Sequence, residues 1–149
     1  MTGVQTCVLP ISGADAQIPC HTGTYQNLVA MTSCIEADPG HHVPETGMTE
    51  QIICAAGSYQ FNSGQGTCRA ADPGHFVQTS GLTGQTKCIE GWYQPSEGKA
   101  ECLQAEPGHF ASGIGSVTQT ECGLGTFQEW PGASKCEDAH IDHYVDTIG

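Results

Sequence analysis

The sequence is poor in positive charge. Arg69, Lys87, Lys99 and Lys135 are its four basic residues, against 16 acidic ones, and the net charge is −12. That balance disfavours nucleic acid and anionic lipid surfaces as partners. No apolar run reaches the length of a membrane span, and the first residues lack the basic start and apolar stretch of a signal peptide. No C-x-x-C pair occurs, which removes the main signal for zinc ribbons and thioredoxin-like centres. There is no G-x-S-x-G, no H-E-x-x-H and no phosphate loop, so nothing calls for an enzyme, a metal or a cofactor. Asn27 and Asn62 have the wrong followers for N-glycosylation.

Cysteine and glycine, by contrast, are abundant: nine and 20 in 149 residues. Without metal-ligand spacing, so many cysteines point to disulfides in an oxidising compartment. Cys20, Cys34, Cys54, Cys68, Cys88, Cys102, Cys122 and Cys136 are separated alternately by 14 and 20 residues, a period of 34 with no slippage. Repeats therefore occupy 20–53, 54–87, 88–121 and 122–149, the last cut short, and 13–19 closes a preceding repeat.

Each repeat divides into two halves of 17 residues. First halves open C-H-T-G-T-Y-Q at Cys20, C-A-A-G-S-Y-Q at Cys54, C-I-E-G-W-Y-Q at Cys88 and C-G-L-G-T-F-Q at Cys122. Second halves open A-D-P-G-H-H at Ala37, A-D-P-G-H-F at Ala71 and A-E-P-G-H-F at Ala105. The eleventh position is Ala30, Gly64, Gly98 and Gly132 in first halves, and Gly47, Gly81 and Gly115 in second halves. Where first halves run from Cys to Cys over 14 positions, second halves run from Ala to Gln: Ala37 to Gln51, Ala71 to Gln85, Ala105 to Gln119. This register selects Cys20–Cys34, Cys54–Cys68, Cys88–Cys102 and Cys122–Cys136. The rival pairing from Cys34 to Cys54 onward strands Cys20 and Cys136. In second halves the small Ala should pack where a bridge would sit, with the Gln amide bonding to backbone.

Residues 1–12 do not fit the register and resemble the translation of a sequencing-library adapter. They are set apart as a non-native segment, the plainer alternative being a divergent cap. This also sets aside Cys7, the odd cysteine.

A 34-residue period invites a tetratricopeptide helix pair, but several glycines and a Pro-Gly in each copy leave no apolar stripe at helical spacing. Asp38-Pro39-Gly40, Asp72-Pro73-Gly74 and Glu106-Pro107-Gly108 suit type II turns. The segment after each turn reads as a short strand, and the eleventh-position glycine turns the chain back. The expected fold is small, disulfide-rich and mostly irregular with short β-hairpins. Its 17-residue modules should stack with nearest-neighbour contacts into an elongated ladder. One ring per half (Tyr25, His42, Tyr59, Phe76, Tyr93, Phe110, Phe127, Tyr144) should pack on a disulfide or Ala–Gln site and on the next module.

The pattern C-x-x-G-[T/S/W]-[Y/F]-Q…C over residues 20–149 resembles ephrin-receptor-like cysteine-rich repeats and the single-disulfide modules of tumour necrosis factor receptors. The resemblance implies an extracellular ladder of small modules. This chain departs from the pattern in carrying Ala and Gln in alternate modules.

His41, His75, His109 and His143 recur at one place in every copy. They are candidate ligands or pH-sensitive groups, but a hydrogen bond to the adjacent turn is the preferred reading. His41 and His42 form a local pair. Asp38, Asp72 and Glu106 read as turn residues rather than calcium ligands. Trp92 and Trp130 are candidates for a protein or glycan contact, with packing over a neighbouring module as the preferred alternative. The expected function is a structural or adhesive extracellular segment (a stalk, adhesin or surface filament) of a larger cell-surface or secreted protein. The alternative is a ligand-binding cysteine-rich receptor ectodomain. Expected partners are proteins or glycans and the neighbouring repeats of the same chain.

Overall fold

The computed structural model describes residues 8–11, 14–28 and 33–140. Cys7, Gly13, Ala30, His143 and Tyr144 lie outside the described residues. The chain forms two compact units, Met1–Arg69 with Thr79–Gly84, and Ala70–Gln78 with Gln85–Gly149. Among the described residues there is no helix, and hence none long and apolar enough to cross a membrane. Val8–Ile11 pairs antiparallel with Ala14–Pro19.

Every module is built on the same hairpin. In the first unit Thr24–Tyr25 pairs with Ile35–Glu36, and His41–His42 with Ile52–Ile53. Ser58–Tyr59 and Arg69–Ala70 are the strands of the next module. In the second unit His75–Phe76 pairs with Thr86–Lys87, Trp92–Tyr93 with Leu103–Gln104, His109–Phe110 with Thr120–Glu121, and Thr126–Phe127 with Glu137–Asp138. Two-residue strands of this kind are not stable alone. What fixes them is the turn before each and the bridge across each. Gly40, Gly74 and Gly108 have φ of 81°, 77° and 78°, and the next residue's N–H closes the turn, as from His41 to the Asp38 carbonyl at 3.0 Å.

Disulfides join Cys20 to Cys34, Cys54 to Cys68, Cys88 to Cys102 and Cys122 to Cys136, each with Cα atoms 5.8 Å apart. Second halves replace the bridge with a polar clamp. Gln51 accepts the Asp38 backbone N–H at 2.6 Å and donates its amide to the Asp38 carboxylate at 2.7 Å. Gln85 does the same with Asp72, and Gln119 with Glu106. Ala37, Ala71 and Ala105 are fully buried beside these clamps. The carboxylates read as turn residues thus also hold the hairpin shut.

The interior is narrow. Its first row is the opening residue of each module: Cys20, Ala37 and Cys54 in the first unit, Ala71, Cys88, Ala105 and Cys122 in the second. The second row is the seventh position: Gln26, Val43 and Gln60, then Val77, Gln94 and Ala111. A buried glutamine needs partners for both ends of its amide. Gln60 donates to the Thr67 carbonyl at 2.8 Å and accepts the Asn62 N–H at 3.2 Å. Gln94 pairs likewise with Glu101 and Ser96, and Gln26 with Ser33 and Leu28. No buried side-chain polar atom among the described residues lacks a partner.

Backbone hydrogen bonds then tie each module to the next at fixed offsets. In the first unit Gly23 N–H reaches Val43 O, Gln26 N–H reaches Met48 O, and Gly47 N–H reaches Cys20 O, at 2.7 to 3.1 Å. The second unit repeats the set with Gly91 to Ala111, Gln94 to Ser116, and Gly115 to Cys88. Contacts also extend past the nearest neighbour, which corrects the expectation above. A Cβ on Gly23 would lie 2.1 Å from the carbonyl oxygen of Gly64, two modules on, and one on Gly74 would lie 2.2 Å from that of Gly115. The modules interlock because these glycines leave room for the turn two modules ahead.

Candidate functional site

The recurrent histidines face their own turns. Nδ1 of His41, His75 and His109 lies 3.3, 3.2 and 3.3 Å from the carbonyl oxygens of Pro39, Pro73 and Pro107. Each ring is thereby held to the Pro-Gly turn that precedes it. The three are one structural device used in successive repeats.

Two places break the repeat, and each lies within one unit. The first surrounds Trp92. Other first halves carry Thr24, Ser58 and Thr126 where Trp92 stands. The half-buried indole, with Phe76, Ile89 and the Cys88–Cys102 bridge, lines an open cavity of about 450 Å³. Lys87 and Glu101 add one charge of each sign to the lining. The volume is within the range of small-ligand pockets, and a mainly apolar lining with a few polar groups is their usual chemistry. Trp130, by contrast, is 73% exposed, and its backbone N–H bonds to Gln128 Oε1. The two indoles do not share a site.

The second place is in the first unit, where His42 meets a bridge. Its Nδ1 lies 3.0 Å from Cys68 Sγ. His42, Cys54 and Cys68 each offer one donor atom, and the three atoms all lie within 4.8 Å of one another. Cys54 is buried, and His42 and Cys68 are half-buried. His42 thus packs on the bridge of the following module, as expected of a ring that reaches the next module. In the second unit Phe76, at the equivalent position, lines one cavity with Cys88 and Cys102. Sequence reasoning singled out His42 for its neighbour His41. The sulfur partner was missed because it is 26 residues away in another module. The signal that could have found it is positional: in each ring row His42 takes a place that Phe76 and Phe110 hold elsewhere.

No protein-family model matches this chain, and no curated protein matches it.

Proposed function

We propose that this chain is a structural and adhesive segment of a larger extracellular protein, a stalk, adhesin or surface filament built by repetition. One observation carries the reading. The residues that recur in every repeat are used by the repeat itself: Asp38, Asp72 and Glu106 by glutamine clamps, Gln26, Gln60 and Gln94 by backbone carbonyls, His41, His75 and His109 by their own turns, and eight cysteines by bridges. Four disulfides in so small a chain support an oxidising, extracellular setting. Because the junctions described within each unit use the same offsets, one period can be removed without creating a new kind of junction. Deleting residues 54–87 from the parent protein joins Ile53 to Cys88 in register. Secretion and surface display should survive this deletion unchanged. Loss of secretion, with the shortened product retained unfolded, would count against a modular spacer.

The cavity at Trp92 favours a second reading, a ligand-binding ectodomain, because a binding module breaks its own pattern where it meets a ligand. The two readings part on Trp92→Thr, which installs the residue that Thr24 and Thr126 represent in sister modules. A spacer should keep its attachment to cells and matrix. A receptor should lose binding by tenfold or more, the consequence of removing about 1.4 kcal/mol or more of contact.

A further inference from the structure

We infer that opening one bridge, Cys54–Cys68, creates a binding site for a soft divalent cation of the zinc class, held by His42 Nδ1 and the two thiolates. Zinc takes Cys sulfur at about 2.3 Å and His nitrogen at about 2.0–2.1 Å in tetrahedral geometry, which sets donors about 3.5–3.8 Å apart. The three donor atoms here lie within 4.8 Å of one another, with Nδ1 3.0 Å from Cys68 Sγ. The sulfurs need only part after reduction, while the imidazole already stands beside them.

The donors are held by more than the bridge. His42 is in a strand paired to Ile52. Cys54 N–H bonds to Gly40 O at 2.8 Å, and Cys54 O accepts from Gly81 N–H at 2.8 Å. Next to Cys68, the Thr67 carbonyl accepts from Gln60. The second unit supplies the internal comparison: there Phe76 stands beside Cys88–Cys102 and offers no donor. The property belongs to one bridge because one ring position carries a nitrogen in place of a phenyl edge.

The chemistry balances with a reductant named by class. A trialkylphosphine attacks the disulfide and water completes the step, giving two thiols and the phosphine oxide; phosphorus is oxidised and the sulfurs are reduced. On binding, the cation displaces one proton from each thiol to solvent. His42 presents its Nδ1 lone pair with the ring proton on Nε2. Three protein donors leave the fourth corner to water, the arrangement of an open rather than a closed zinc site.

The test compares the full chain with His42→Phe and with the paired change Cys54→Ala, Cys68→Gln, which copies the Ala–Gln modules. The native chain and His42→Phe are treated with limiting trialkylphosphine, the species with Cys54–Cys68 alone open is isolated under argon with the other three bridges intact, and all three chains are titrated with Co²⁺ as a spectroscopic probe for Zn²⁺. With the other three bridges closed, Cys7 is the one further thiol and is common to all three chains. The reduced native chain should show a sulfur-to-cobalt charge-transfer band and intense four-coordinate d–d bands, displaced by Zn²⁺. The paired variant should lack that site, and the unreduced chain should show none. His42→Phe should bind at least about tenfold more weakly, since even indirect support of a ligand is worth that much, and its d–d bands should shift. Matching titrations and spectra for His42→Phe and the native chain would overturn the inference. So would the same site surviving in the paired variant. If that variant is not secreted, His42→Phe decides alone, because Phe is what later repeats hold at this position.

Discussion

Reduction of all four disulfides should unfold the described repeats: excess reductant should abolish amide hydrogen-exchange protection in the hairpins and the near-ultraviolet dichroism of the rings. Each bridge closes a loop of 14-residue separation, worth about 3 kcal/mol in the chain-entropy model. Four contribute about 12 kcal/mol, against a total of about 5–15 kcal/mol for ordinary domains. Little else can replace them. Each module places one small residue or half-cystine and one Val, Ala or Gln on the inner rows, and modules this size cannot bury enough apolar surface alone. The glutamine clamps are exposed, and hydrogen bonds of that kind add about 1 kcal/mol net each. Retained exchange protection in strong reductant would show that the interlocked backbone, not the sulfur bridges, carries the fold.

Gly91→Ala should cost about 4 kcal/mol or more, the largest effect expected of a single methyl group here. Two terms add. Gly91 has φ of 82°, where a side chain costs about 1–2 kcal/mol. The new Cβ would also lie 2.0 Å from the Gly132 carbonyl oxygen, so the turn two modules on must retreat. That retreat strains the Gly132 N–H bond to Ala105 O at 2.7 Å and the Gly91 N–H bond to Ala111 O at 2.8 Å, each worth about 1 kcal/mol or more when lost in a buried setting. A series separates the terms. Gly98 has φ of 70° and meets only the Ala70 Cβ, at an ordinary 3.8 Å, so Gly98→Ala should show the backbone cost alone, about 1–2 kcal/mol. Gly123 has neither a positive φ nor a neighbour, and Gly123→Ala should stay within about 0.5 kcal/mol. Denaturant midpoints read all three. Equal effects at Gly91 and Gly98 would show that the turn two modules on does not interlock with the glycine.

Much of this was legible in the residues. The 34-residue period was, because cysteines mark it without slippage. The Ala and Gln that replace the bridge were, because they occupy its register, and Gln51, Gln85 and Gln119 do bond to backbone. The Pro-Gly turns were, because Gly alone suits their positive φ at no steric cost. What stayed hidden depends on contacts between modules. Gln26, Gln60 and Gln94 formed part of a motif but gave no sign of being interior, because a polar side chain reads as surface until its partners are known. The second-neighbour contact of Gly74 with Gly115 was invisible for the same reason: it spans 41 residues, and local pattern carries no information about it. Trp92 stood out as a break in the repeat, yet the cavity it lines needs Phe76 from the module before.

Covalent closure of every other 17-residue module holds the repeat in shape, and one measurement reads it directly. Native chain recovered from secreting cells is alkylated without reduction, digested beside its acidic residues and mapped by mass spectrometry. The predicted result is one peptide holding Cys20 with Cys34 and one holding Cys54 with Cys68, each unalkylated and closed on itself, and linked peptides joining Cys88 to Cys102 and Cys122 to Cys136. A peptide linking Cys34 to Cys54, or alkylated thiols at these eight positions, would contradict it.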